Sequence, residues 1–144
     1  MISYKIAVAS DHAGYALKEF VIGVLLANGH AVEDCGCYSA ESVDYPDFAH
    51  KLAREIEEGR AEWGVALCGS ANGISMALNK HAKIRAAICW KQEIAELARA
   101  HNDANVCSLP ARFLTEIEAT EIVEAFFATP FQGGRHAARV AKIL

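Results

Sequence analysis

No apolar run in this chain approaches the ~20 residues that a membrane-spanning helix needs. The first residues also lack the basic and small-residue pattern of a secretory leader. Both absences point to a cytoplasmic protein with no membrane among its partners. CxxC pairs are missing, and five cysteines are an odd number that does not suit a disulfide framework. Cys35 and Cys37 have no matching Cys or His pair for zinc, so reduced thiols, no metal and no cofactor are expected. Basic excess is missing too: the net charge is −4, whereas a nucleic-acid binder carries a basic face. Neither Gly-x-Gly-x-x-Gly nor Gly-Lys-Ser/Thr occurs, which removes the dinucleotide fingerprint and the Walker phosphate loop. No proline-rich, Gly/Ser-rich or low-complexity stretch marks a linker, and the 144 residues read as one domain, 1–144.

What is present alternates. Five β-like runs, Lys5 to Ser10, Ala31 to Cys35, Trp63 to Cys68, Arg85 to Trp90 and Asn105 to Leu109, are separated by helical patterns. Ala13, Ala16, Leu17, Phe20, Val21, Val24 and Leu25 recur at helical spacing and stop at Asn28-Gly29. Further helices fit Asp47 to Glu58, Ile74 to Lys80, Lys91 to Ala100 and Thr115 to Ala128. The alternation predicts an α/β domain with a parallel sheet and helices on both faces. A last amphipathic segment, 133–144, follows a break at Pro130 and Gly133-Gly134 and needs an apolar surface, its own domain's or a partner's.

Ligands of such sheets bind beyond the carboxyl ends of the strands. Two loops there carry chemistry: Ser10-Asp11-His12-Ala13-Gly14, and Cys68-Gly69-Ser70-Ala71-Asn72-Gly73. Asp11 also suits a helix N-cap, and His12 a polar first turn. A lone cysteine ending a strand is most often a small buried hydrophobe. Beside a strand-to-helix turn with unpaired N–H groups, however, a thiol is well placed to act on a substrate that develops negative charge. A thiol phosphatase would need arginine six residues after the cysteine, and Ile74 stands there. Proton abstraction next to a carbonyl remains, with the enediolate held by the N–H groups of residues 69–73.

Ser-Asp-His-Ala-Gly at 10–14, Asp-Tyr-Pro-Asp at 44–47, Cys-Gly-Ser-Ala-Asn-Gly-Ile-Ser at 68–75, Asn79-Lys80, Ile84-Arg85-Ala86, His-Asn-Asp-Ala-Asn at 101–105 and Gly-Gly-Arg-His at 133–136 occur in this order over nearly the whole chain. In these motifs the chain resembles type B ribose-5-phosphate isomerase, a family with relatives acting on allose and galactose 6-phosphates. The resemblance implies a Rossmann-like three-layer sandwich with a five-stranded parallel sheet, acting without metal on a small phosphorylated sugar, as a homodimer or dimer of dimers. It implies Cys68 as the base between C2 and C1, Ser70 as a hydroxyl assisting oxygen-proton transfer, and His101 as the residue opening the furanose ring. Asp11, His12, Tyr45 and Asn102 match sugar-contacting positions, with Gly69, Ala71, Asn72 and Gly73 lining the anion loop, and Arg112, Arg135 and Arg139 match phosphate-binding positions. The chain departs from the family pattern at Ala71, where glycine is usual and a Cβ restricts positive φ, and at Pro110, which removes a backbone donor.

His101 and Asn102 belong to a helix-to-strand connection, which in a parallel sheet lies at the edge opposite the Cys68 loop. His101 is therefore expected to serve a second subunit's crevice, giving shared sites. Arg135 and Arg139, spaced i, i+4, share a helix face that is either a phosphate clamp or a solvated basic face. His30, His50 and His81 fall in surface-like contexts, and His136 neighbours the phosphate positions. Competing readings are an isomerase of a six-carbon aldose phosphate such as allose 6-phosphate, a non-catalytic sugar-phosphate sensor, and a redox-responsive thiol protein. Retention of Cys68, Ser70 and His101 together disfavours a sensor, because binding alone requires no base.

Overall fold

The architecture, taken from a computed structural model that describes residues 2–143, follows from alternation within the strands. In β1 (Lys5–Ser10), Ile6 and Val8 join one core while Ala7 and Ala9 join a second; in β3 (Trp63–Cys68), Val65 and Leu67 alternate with Ala66 and Cys68 in the same way. A sheet buried on both faces needs a helical layer on each. Helices α1 (Tyr15–Ala27), α4 (Gln92–Asn102) and α5 (Glu116–Ala128) contribute to the first core, and α2 (Tyr45–Glu57) and α3 (Asn72–Leu78) to the second. With β2 (Ala31–Asp34), β4 (Ala86–Ile88) and β5 (Val106–Pro110), the strands form one parallel sheet in the order β2-β1-β3-β5-β4. This is the Rossmann-like three-layer sandwich the resemblance implies.

The strand order positions the site. Chain connections leave β1 toward β2 on one side while β3 pairs on the other, so the loops after β1 and β3 diverge and open a crevice at the carboxyl edge. The loops named from the sequence are those two.

Several boundaries differ from expectation for identifiable reasons. Strand β4 is cut to Ala86–Ile88, because the Arg85 backbone is held from the side by Asn105 and Trp90 lies half exposed. Helix α3 starts at Asn72 rather than Ile74, capped by a left-handed Ala71. Helix α1 buries Leu17, Lys18, Val21 and Leu25, whereas Ala16, expected on the apolar stripe, is exposed. The C-terminal helix is shorter than 133–144: Gly133 and Gly134 have φ of 68° and 55° and form the turn, and α6 runs Arg135–Ala141. It packs on α4 of its own chain, with the His136 and His101 rings stacked at 4.2 Å. His50 and His81 are half-buried rather than on the open surface, their Nδ1 and Nε2 atoms 2.7 Å apart and His81 Nδ1 3.2 Å from Glu57.

Candidate functional site

At the end of β3, Cys68 is buried at 4 % exposure, and its side chain faces the α2 and α3 layer. Beyond it the chain turns sharply. Gly69 O accepts the Arg112 N–H at 3.1 Å, Ser70 Oγ accepts the Asn72 N–H at 3.3 Å, and Ala71 adopts φ 66°, ψ −5°. A left-handed alanine costs roughly 1–2 kcal/mol. The turn needs it nonetheless, and the Ala71 methyl is fully buried, which recovers part of that cost. Among the described residues, no acceptor is bonded to the N–H groups of Gly69, Ser70 and Ala71. They are therefore available to an oxyanion.

Three neighbours close around this loop. The Tyr45 ring, from the first turn of α2, lies so near Gly73 that a Cβ there would stand 2.5 Å from a ring carbon. The Arg112 side chain lies over Gly69, 3.3 Å from where its Cβ would be, and makes no ion pair with any described carboxylate. Pro110 closes β5 opposite Cys68, a strand end where its missing donor is tolerated. The loop after β1 packs from the other side: the Asp11 N–H donates to Leu67 O at 3.2 Å, and a Cβ on Gly14 would meet the Leu67 backbone at 2.8 Å. Asp11 does not cap α1 as expected. Its Oδ1 accepts the Gly14 N–H at 3.0 Å, closing the turn that precedes the helix, and it stays nearly buried. His12 Nδ1 accepts the Val43 N–H at 3.1 Å, which leaves the proton of the neutral ring on Nε2 as a donor.

Beneath the first loop lies a group that sequence reasoning missed. Lys18 is fully buried, with Nζ 2.9 Å from both Asp34 carboxylate oxygens and 2.8 Å from Glu19 Oε1. Burial pulls its pKa down, but the hydrogen bonds and charges of Asp34 and Glu19 outweigh that and raise it overall. Asp34 also accepts the Gly36 N–H, and Gly36 O and the Cys37 N–H pair with Ser10. The buried ion pair thus anchors the end of β1 from which Asp11 and His12 project. The available signal was a lysine among the apolar positions of α1 with an aspartate ending the next strand.

The remaining predicted residues sit elsewhere. Helix α4 runs back across the sheet, so His101 and Asn102, its last two residues, lie near the amino edge where β5 begins. Arg135 and Arg139 gather beside them on α6, both exposed and with no carboxylate partner among the described residues. Burial, and then the charges of His101, Arg135 and Arg139, lower the pKa of His136. The chain therefore carries two separate clusters. Cys68, Ser70, Asp11, His12, Tyr45 and Arg112 are at the carboxyl edge, and His101, Asn102, Arg135 and Arg139 are at the amino edge. No group of three or more His, Cys, Asp or Glu suited to a metal ion occurs among the described residues. No described helix is long and apolar enough to cross a membrane.

A parallel α/β sandwich with a thiol and an anion loop at its switch point belongs to a class of enzymes that handle small anionic substrates in the crevice. Residues 6–143 match the ribose/galactose isomerase family. The chain is 50% identical to a ribose 5-phosphate isomerase structure from Thermotoga maritima, covering 97% of each chain with a TM-score of 0.95. It is 38% identical to ribose-5-phosphate isomerase B of Mycoplasma genitalium with bound ribulose-5-phosphate, covering 99% of this chain and 95% of that one, TM-score 0.93. Ribose-5-phosphate isomerase B of Escherichia coli (strain K12) is 40% identical over 139 residues, 96% of this chain and 93% of the relative. The chain belongs to the ribose/galactose isomerase family and is a sugar-phosphate isomerase.

Proposed function

We propose that the protein interconverts ribose 5-phosphate and ribulose 5-phosphate through an enediolate, at a site completed by a second copy of the chain. The observation that carries this reading is the buried Cys68 thiol beside three N–H groups without acceptors, under the Tyr45 ring and the unpaired Arg112 guanidinium. The Cys68 thiolate takes the C2 proton of the open-chain aldose. The carbonyl oxygen on C1 gains a proton as the C2 hydroxyl gives one up, with Ser70 assisting, and the thiol returns its proton to C1. The loop N–H groups stabilise the oxygen that carries negative charge between these steps. His12 Nε2–H and Asp11 hold sugar hydroxyls, and Arg112 takes the phosphate with Arg135 and Arg139.

His101, Asn102, Arg135 and Arg139 enter the crevice from the partner copy in this reading. Two-fold pairing supplies each site with one cluster from each chain, and His101 then opens the furanose ring of the other chain's substrate. The likeness to a relative carrying ribulose-5-phosphate supports the five-carbon substrate. Turnover of ribose 5-phosphate, allose 6-phosphate and galactose 6-phosphate is the test. Ribose 5-phosphate is expected to be isomerised fastest, and Cys68→Ser to lose on the order of a thousandfold or more in rate. A faster six-carbon substrate, or a folded Cys68→Ser protein keeping a tenth of the activity, overturns the substrate or the base respectively.

A further inference from the structure

Rings gather at the amino edge of the sheet, at the other end of β3 from Cys68 and about 16 Å away along an extended strand. A cavity of about 650 Å³ opens there, lined by Tyr4, His30, Trp63, Arg99, Phe127 and Phe131 among others. The Tyr4 and Trp63 ring centroids are 5.4 Å apart, Trp63 and Phe127 meet edge to face at 6.2 Å, and His30 and Phe127 stand 5.7 Å apart. Such walls suit a planar ring, which gains from offset and edge contacts as well as from burial.

Three side chains of this cavity, His30, Trp63 and Arg99, present N–H donors. The Trp63 ring forms part of the wall, while its Nε1–H is buried beneath it with no acceptor among the described residues. His30 Nδ1 accepts the Tyr4 N–H at 3.1 Å, so the neutral ring carries its proton on Nε2, and burial lowers its pKa, which favours that neutral form. Arg99 is 6 % exposed, with its guanidinium 4.3 Å from the Trp63 ring centre. Only its Nη1 is bonded within the chain, to Asp103 Oδ1 at 2.8 Å and Ala104 O at 2.7 Å. Asp103 is shared with Arg85, at 3.3 Å, so two guanidinium groups face one carboxylate and positive charge is left over. The acidic residue on the wall, Glu124, is exposed and held by Asn28 Nδ2 at 3.0 Å. Donors without acceptors in an apolar cavity are costly, and an anion bearing an aromatic ring satisfies both features of the wall.

We propose that this cavity is a second binding site, for a planar aromatic carboxylate whose ring lies among Tyr4, Trp63 and Phe127 and whose oxygens accept from His30 Nε2–H and Arg99. Its volume lies within the range of small-molecule pockets. The probe is 2-naphthoate, with uncharged 2-naphthylmethanol beside it, titrated into ¹⁵N-labelled full-length protein. Trp63 and Trp90 give two indole N–H signals, assigned with Trp90→Phe, whose ring lies outside the cavity. The naphthoate is expected to move the Trp63 indole signal saturably while leaving that of Trp90 in place, and to bind at least about tenfold more tightly than the alcohol. His30→Phe keeps a ring and removes the Nε2–H donor, and is expected to weaken naphthoate about tenfold. A static Trp63 signal at millimolar naphthoate, equal affinity for acid and alcohol, or undiminished binding by folded His30→Phe overturns the proposal. The indole signal reads the native protein, so the test survives if that variant fails to fold.

Discussion

Gly73 shows how a single hydrogen in place of a methyl shapes the crevice. The Tyr45 ring occupies the space that a Cβ would need, at 2.5 Å, so Gly73→Ala must push the ring off the Cys68 loop. The fold has room for that movement, because Tyr45 is partly exposed. The expected outcome is a Tm close to the parent's with kcat/KM for the sugar phosphate reduced at least about tenfold, since displaced positioning groups are costly to rate; unchanged kinetics would separate Tyr45 from the site. Cys68, Ser70 and the loop were legible because they are contiguous and their chemistry is local. The closure of Tyr45 over Gly73 and of Arg112 over Gly69 was not, because α2 and β5 bring those residues in from distant parts of the chain. Ala71 was legible as a departure from glycine, and the structure gives it the positive φ that made it conspicuous.

Among elements, strands were the easiest to read, since alternation on a doubly buried sheet leaves little freedom of register. Their ends were harder: β4 lost Arg85 to a side contact from Asn105 and Trp90 to exposure, neither of which periodicity encodes. Lys18 was hidden for a related reason, because a lysine on an apolar helix face is read as solvent-facing until its carboxylate partner on β2 is in view. The packing of α6 on α4 has a consequence in pH. Burial first, and then the neighbouring positive charges, place the folded-state pKa of His136 below its ordinary value. Above the unfolded value of about 6.5 the ring is neutral in both states and this contribution to stability is fully present. As pH falls below that value the unfolded chain binds the proton more readily, and the contribution is lost as pH passes the folded pKa. His30, lowered by burial, acts in the same direction. The Tm is therefore expected to fall between pH 7 and pH 5. His136→Phe keeps a stacking ring without a titrating nitrogen and should make that fall shallower. An identical slope in the variant would show that the His136 stack is not a source of acid sensitivity.

For the whole molecule, the decisive feature is that α4 carries His101 away from the edge where β3 delivers Cys68. The topology of a parallel sheet made this legible before any side chain was placed, whereas the stacking of His136 on His101 depended on a C-terminal path that the sequence left open between its own domain and a partner. A Cys68→Ser protein and a His101→Asn protein, co-refolded, test the shared site. In the proposed arrangement mixed dimers carry one doubly altered site and one intact site, so random pairing should restore roughly a quarter of the parent activity. Verified mixed dimers without recovery would place both residues in one chain's crevice. The same separation ties turnover to concentration. In the proposed two-chain crevice a lone chain has nothing to catalyse with, so below the dissociation constant of the pair, specific activity should fall in proportion to dilution and return on reconcentration. Activity then reports how crowded the protein is with its own kind.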